Sequence, residues 1–240
     1  MGLQAAFFDV GDTLVENFST REASAPAARA ALVAAFGHRH WYDQYVLADI
    51  DPDDDVTQLQ QDTTGWMAAW FAAQGVQCDV DLDALRAASV LPLEHVSTPV
   101  PGAADALRWC KANGLRVILV TNTLYRGDVE VLADWDRVGL GRMIDGVVSS
   151  HSAGHRKPHP EMFERALALA AVPPSAAVMI GDNPIADVRG AAALGLRTVY
   201  RKTARRPLLP GIRPDAVVDD LLTLPETLRP WLSSVPGATR

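Results

Sequence analysis

The sequence predicts an α/β protein: a doubly wound parallel sheet, interrupted after its first strand by an all-helical insertion. Three observations carry that reading. Short unbroken apolar runs recur at Ala5–Phe8, Val117–Val120, Gly146–Val148, Ala177–Ile180 and Thr198–Tyr200, the pattern of strands buried on both faces. Between them lie stretches with helical spacing, over 102–112, 127–138, 160–171 and 185–194; glycines stand where two of these would be capped, in Asn113-Gly114 and Leu194-Gly195. The alternation lapses between residues 16 and 95, where helical patterns such as 22–36 and 56–74 dominate and no strand pattern appears.

Taken in order, the first strand delivers Asp9 into a tight glycine-containing turn, Asp9-Val10-Gly11-Asp12-Thr13. The division expected from this pattern is a core of residues 1–15 and 96–240 with a helical unit of 16–95. Phe18, Phe36, Trp41, Tyr42, Tyr45, Trp66, Trp70 and Phe71 fall in that unit and read as the core of a small bundle. A sharper alternative places residues around His40-Trp41-Tyr42 in a substrate cleft. Asp51-Pro52-Asp53-Asp54-Asp55 lacks the glycine and distal glutamate of a calcium loop and reads as the cap of a helix starting near Val56. His151, His155 and His159 are spaced by four, but Gly154 and Pro158 break any helix that would align them as zinc ligands.

Composition excludes several classes. With 240 residues, 48% hydrophobic, the chain can bury a core without staples, and two cysteines (Cys78, Cys110) point to a reducing compartment. A net charge of -7 argues against nucleic-acid or anionic-membrane partners. The dense basic run Arg201, Lys202, Arg205, Arg206 reads as a solvated loop. No apolar stretch reaches the length of a membrane span, and the N-terminus lacks a signal-peptide pattern, so a cytoplasmic location is expected.

Four segments place chemistry where a doubly wound sheet puts its ligand site, beyond the carboxyl ends of the strands. They are Asp9 to Thr13, Thr121-Asn122, Arg156-Lys157-Pro158, and Gly181-Asp182-Asn183-Pro184-Ile185-Ala186-Asp187. Carboxylates from two strand ends, an ammonium and a hydroxyl suit phosphoryl transfer: hard oxygens hold Mg²⁺, a carboxylate can attack phosphorus, and donors neutralise the phosphoryl oxygens. The chain has only three lysines, at 111, 157 and 202, so arginine is its usual cation; a lysine at 157 suggests a site wanting a compact ammonium.

In this order the four segments resemble the motifs of the haloacid dehalogenase (HAD) superfamily, over residues 5–14 and 100–200. The resemblance implies a Rossmann-like core with a helical cap, Mg²⁺ as cofactor and a small phosphorylated metabolite as substrate. It implies Asp9 as nucleophile and metal ligand, Thr121 and Asn122 as phosphate-binding, and Lys157 as the link between nucleophile and phosphate. Asp182 and the Gly11 carbonyl are implied as metal ligands, and Asp187 as the second acid of the last motif. The family's phosphatases usually carry an acid two residues after the nucleophile; here that position is Gly11, with Asp12 one further on. Losing such an acid–base group costs ~10²–10⁴ in rate, so a slow phosphatase is expected. The alternative is a non-catalytic or regulatory phosphate-binding protein, and the third reading is a metal-independent 2-haloacid dehalogenase. The phosphonate-cleaving branch needs a lysine in the cap, and none precedes Lys111.

Overall fold

The structure, a computed structural model, describes residues 2–17, 21–48 and 62–232. Strand β1 (Ala5–Phe8) is followed by a short strand β2 (Val15–Asn17) and four helices: α1 (Arg21–Phe36), α2 (Tyr42–Tyr45), α3 (Thr63–Gln74) and α4 (Leu82–Ala88). After β3 (Ser97–Pro99) come α5 (Ala103–Ala112), β4 (Arg116–Thr121), α6 (Asp128–Arg137), β5 (Gly146–Ser149), α7 (Ser150–Ala153) and α8 (Pro160–Ala170). The chain continues through β6 (Ala177–Gly181), a wide helical turn at Pro184–Arg189, α9 (Gly190–Ala193), β7 (Arg197–Arg201), β8 (Ala216–Val218) and α10 (Leu224–Leu228).

Six strands form one sheet in the order β5-β4-β1-β6-β7-β8, every neighbouring pair parallel. Alternation along β1 shows why its sequence is unbroken: Ala6 and Phe8 join the core beneath α5, α6 and α10, while Ala5 and Phe7 face α8 and α9. Both faces are covered, so both sets must be apolar. Because all six strands point the same way, the residues after β1, β4, β6 and β7 meet along one edge.

The segment read as strand-free, 16–95, begins within one short strand and is followed directly by another. Residues Val15–Asn17 pair antiparallel with Ser97–Pro99, with Val15 opposite Pro99, which brings the two ends of the helical stretch together. Three-residue strands carry too little alternation to be seen in sequence; their pairing is decided by a partner some 80 residues away. Helix α3 begins at Thr63, with Asp62 capping the Gly65 N–H at 2.8 Å. The expected cap at 51–55 and helix start near Val56 lie outside the described residues.

Trp41, Tyr42, Tyr45 and Phe71 lie buried in the core of the insertion, Phe36, Trp66 and Trp70 pack partly buried against it, and Phe18 lies outside the described residues. Trp41 meets Tyr42 and Phe71 edge to face at 4.6 and 4.8 Å, and Leu32, Tyr45, Met67 and Leu85 complete the cluster. The cleft alternative for Trp41 and Tyr42 is therefore corrected: both are buried, and the Tyr42 hydroxyl lies 3.1 and 2.9 Å from the Leu32 and Gly37 carbonyls. The histidine ladder does not form either, since Gly154 adopts φ +74° and ends α7, while the His155 and His159 rings stack at 3.9 Å.

At the sheet edge opposite the site, Asp145 ties α5 to β4. It accepts from Lys111 Nζ at 2.6 and 2.7 Å and from the Val117 N–H at 2.8 Å. Burial would raise its pKa, but the Lys111 and Val117 hydrogen bonds and the charges of Lys111 and Arg116 outweigh burial and hold it below the usual carboxylate value. A depressed folded pKa gives stability that is complete above the unfolded value and is lost as pH falls through the folded one. Asp145→Asn is therefore expected to lower Tm at pH 7, with the gap from wild type closing below about pH 4. Thermal melts across pH 3–7 check this; a gap independent of pH contradicts it.

Candidate active site

The centre of the site is Lys157, on the loop between α7 and α8. It is buried, and its Nζ donates to Asp9 Oδ1 at 2.6 Å, Asp187 Oδ1 at 2.7 Å and the Val120 carbonyl at 2.6 Å. An ammonium has three protons, and three acceptors surround this one. Burial alone would favour the neutral amine, but the charges of Asp187 and Asp9, and the hydrogen bonds to both, keep the ammonium above the ordinary lysine pKa.

Asp9 follows β1 directly, and its N–H donates to Ile180 at 2.9 Å, extending the β1–β6 ladder by one residue. With Oδ1 on Lys157, Oδ2 accepts from Thr13 Oγ1 at 3.2 Å. The turn beyond folds back through Thr13, Leu14 and Val15 N–H groups on the Val10 carbonyl. It places Asp12 at φ +54°, a left-handed conformation that aspartate tolerates better than most residues. Gly11 and Asp12 both line the cavity above Asp9, about 140 Å³ in volume, together with Thr121, the last residue of β4.

Asn122 serves Lys157. Its Oδ1 accepts from the Lys157 N–H at 2.8 Å and its Nδ2 donates to the Lys157 carbonyl at 3.1 Å, so the amide clamps the lysine backbone while lining the cavity. Asp187 acts in the same way on the lysine's other end, with Oδ1 on Nζ and Oδ2 accepting from the Asn183 N–H at 2.9 Å. Gly181 leaves room for it: a Cβ there would stand 2.2 Å from Asp187 Oδ2. Asn183 caps the turn that carries Asp187 through the Ile185 and Ala186 N–H groups.

Asp182 completes an acidic cluster in which carboxylate oxygens of Asp9, Asp182 and Asp187 lie within 4.8 Å of one another. Burial, then the charges of Asp9 and Asp187, pushes Asp182 up to about 7, with Arg206 pulling the other way. Burial likewise pushes Asp187 up to about 6 against the charge of Lys157. Three carboxylates share the charges of Lys157 and Arg206, and their hard oxygen donors could hold a divalent cation such as Mg²⁺.

Four residues escaped sequence reasoning. Thr13 and Asn183 lie inside the motifs and act locally. Arg205 and Arg206 correct the solvated-loop reading of the basic run: both line the cavity, Arg205 Nη1 3.1 Å from Asp12 and Arg206 Nη1 3.3 and 3.4 Å from the two Asp182 oxygens. Their position after β7, at the same strand-end edge as Asp9, was the available signal.

A family model for haloacid dehalogenase-like hydrolases matches residues 3–195. The chain belongs to this family. Among curated relatives of this HAD-like chain, a phosphoserine phosphatase from Thermus thermophilus is 37% identical over 121 residues, 50% of this chain and 47% of that protein. The chain spans about half the length of the curated relatives it matches. The fold is that of a HAD phosphatase from Thermococcus onnurineus (TM-score 0.61, 20% identity, 94% of this chain and 98% of that one). It is equally that of a 2-haloacid dehalogenase from Pseudomonas syringae pv. Tomato DC3000 (TM-score 0.61, 21% identity, 95% and 99%). Equal likeness to a phosphatase and a dehalogenase means that the fold leaves the reaction to the site. No helix among the described residues is long and apolar enough to cross a membrane.

Proposed function

We propose that this HAD-like hydrolase is a Mg²⁺-dependent phosphatase of small phosphorylated metabolites that works through an aspartyl-phosphate at Asp9. The observation that carries this is the buried Lys157 ammonium, hydrogen-bonded at once to Asp9 and Asp187 beside a third carboxylate, Asp182. A metal-free dehalogenase has no need of Asp182, whereas a phosphatase has a use for each of these groups.

Asp9, Asp182 and the Gly11 carbonyl would hold Mg²⁺, which when bound supplies positive charge to the phosphoryl oxygens. Lys157 and Thr13 orient the Asp9 carboxylate beneath the cavity. An Asp9 oxygen attacks phosphorus as the bond to the leaving oxygen breaks, with Thr121 donating to the transferring group and the Lys157 ammonium lending it positive charge. Water then hydrolyses the acyl-phosphate, returning Asp9. Asn122 and Asp187 keep Lys157 in place throughout. The helical insertion, in this reading a cap, opens and closes over the site to exclude water.

Gly11 leaves the leaving oxygen without the usual acid. Asp12 lines the cavity but is paired with Arg205, so the proton comes from water and poor leaving groups react slowly. Gly11→Asp is expected to raise kcat on alkyl phosphates by about 10²-fold, the lower end of what a positioned acid contributes. An unchanged or lower kcat shows that the glycine is no mere lost catalyst.

The test of the reaction is a panel of phosphate monoesters assayed with and without Mg²⁺. Mg²⁺-dependent phosphate release is expected, and no release from any ester by folded protein overturns the reading. Gly11 also favours a second reading, a phosphate-binding protein without turnover. Beryllium fluoride binding in the absence of any hydrolysis would support it.

A further inference from the structure

We propose that a second cavity, beside the reaction cavity, is the subsite for the leaving alcohol. The preferred phosphomonoesters then carry an uncharged apolar group, a short alkyl chain or a single aromatic ring, next to the reacting phosphate. This rests on the phosphatase reading above and names its substrate class.

The second cavity holds about 200 Å³. Gly11, Thr121 and Asn122 line it and the reaction cavity alike, so the two share a wall, and at Gly11 that wall carries no side chain. Their other residues differ in kind. Carboxylates, Lys157 and two arginines surround the reaction cavity, whereas Val10, Val15, Leu93, Val96, Val131 and Trp135 give the second an apolar surface. An apolar cavity of about 150 Å³ can hold benzene, so this one has room for a phenyl ring or a chain of about four to six carbons.

The charged residues described along its lining are engaged with one another and with the backbone. Arg126 Nε donates to Asp134 at 2.9 Å, and its guanidinium also donates to the Leu91 carbonyl. Asp134 accepts in addition from the Leu93 N–H at 3.3 Å and from Arg137. Thr123 Oγ1 donates to the Arg126 carbonyl at 2.5 Å, and the Thr123 N–H donates to Ser150 at 2.9 Å. A charged leaving group would have to give up its water against groups already engaged. An apolar one gains with each methylene it buries.

One side of the cavity is held by the helical insertion. Thr63 Oγ1 donates to the Leu124 carbonyl at 2.9 Å and Arg86 Nη1 to the Tyr125 carbonyl at 2.5 Å, while Tyr125 packs against the aromatic core of the insertion. The stretch that follows Thr121 and Asn122 is thus fixed from the insertion as well as from the sheet. A pre-formed apolar cavity with its polar groups already placed is the usual form of a site for a small uncharged group.

The experiment measures kcat/KM for ethyl, butyl, hexyl and octyl phosphate at saturating Mg²⁺. The leaving alcohols have nearly the same acidity, so differences report on binding of the chain. p-Nitrophenyl phosphate reports whether the underlying reaction runs. The butyl ester is expected to exceed the ethyl ester by about tenfold, since each methylene moved from water to an apolar site contributes about threefold to fourfold. The gain should level off by the octyl ester, when the cavity is full. Val96→Phe fills the cavity and Leu124→Asn makes its wall polar, both at half-buried positions, and each should bring the butyl-to-ethyl ratio toward one. Thermal melts establish that the variants fold, and either one suffices. A wild-type ratio near one overturns the proposal. So does a gain that continues undiminished to the octyl ester, which marks an open apolar surface, or a ratio that the folded variants leave unmoved. Alkylphosphonates of the same lengths have no ester bond to break. Their calorimetric dissociation constants give the same comparison where the alkyl esters turn over too slowly to measure. If p-nitrophenyl phosphate and the alkyl esters all go unhydrolysed, the phosphatase reading fails, and the phosphonates still decide the subsite: equal affinities for the ethyl and butyl compounds overturn it.

Discussion

Asp9→Asn is expected to lower phosphomonoester turnover by at least about 10⁴-fold in a protein that remains folded. The side chain keeps its shape, and its amide oxygen can still accept from Lys157. What it loses is the anion that attacks phosphorus and one of the two carboxylates proposed to take Mg²⁺. The defect should therefore appear in kcat even at saturating substrate and Mg²⁺. Trapping of acid-stable phosphoprotein from a labelled ester, in wild type and not in the variant, separates attack by Asp9 from direct attack by water. Turnover within tenfold of wild type would place the nucleophile elsewhere.

Lys157→Ala should be the most damaging single change to both stability and activity. The ammonium is the shared counter-ion of two carboxylates that are almost fully buried. Removing one partner of such an arrangement costs about 3–5 kcal/mol, because the charges left behind have no solvent to turn to. Denaturant titration at pH 7 should show a loss of that size, while the Asn122 clamp, made to the backbone of residue 157, is retained. The loss comes from stranded negative charge, so two manipulations should recover part of it. Asp9→Asn in the Lys157→Ala background removes one of the two stranded charges, and Mg²⁺ supplies positive charge to the same cluster. A double variant as unstable as the sum of the singles would contradict this account, since contacting groups in one network should couple. Turnover in Lys157→Ala falls with the nucleophile's orientation, even where Mg²⁺ restores the fold.

Much of this arrangement was legible in the chain, for reasons specific to each part. The strands of the large sheet are buried on both faces, so they had to be unbroken apolar runs, and the runs stood out. Asp9, Thr121 and Asp182 each follow such a run, and a parallel sheet gathers strand ends on one edge; their meeting followed from topology alone. Lys157 was marked by composition, as one of three lysines in an arginine-rich chain, and in the structure its Nζ meets three acceptors. Trp41 and Tyr42 could not be sorted between cleft and core by sequence, because the answer lies in Phe71 and Leu32 on other helices.

By itself, then, the sequence determined the fold class, the helical insertion and which strand ends carry the acids, since these depend on periodicity and on chemistry local to each segment. Tertiary structure alone decided the rest. It paired Val15–Asn17 with Ser97–Pro99, turned Asn122 onto the Lys157 backbone, and brought Arg205 and Arg206 over the acidic cluster. These are contacts between segments far apart in the chain, and their partners are chosen by packing geometry that no local pattern encodes. The basic run shows the difference most plainly: four cations on a surface loop by sequence, and two of them the counter-charges of the site by structure.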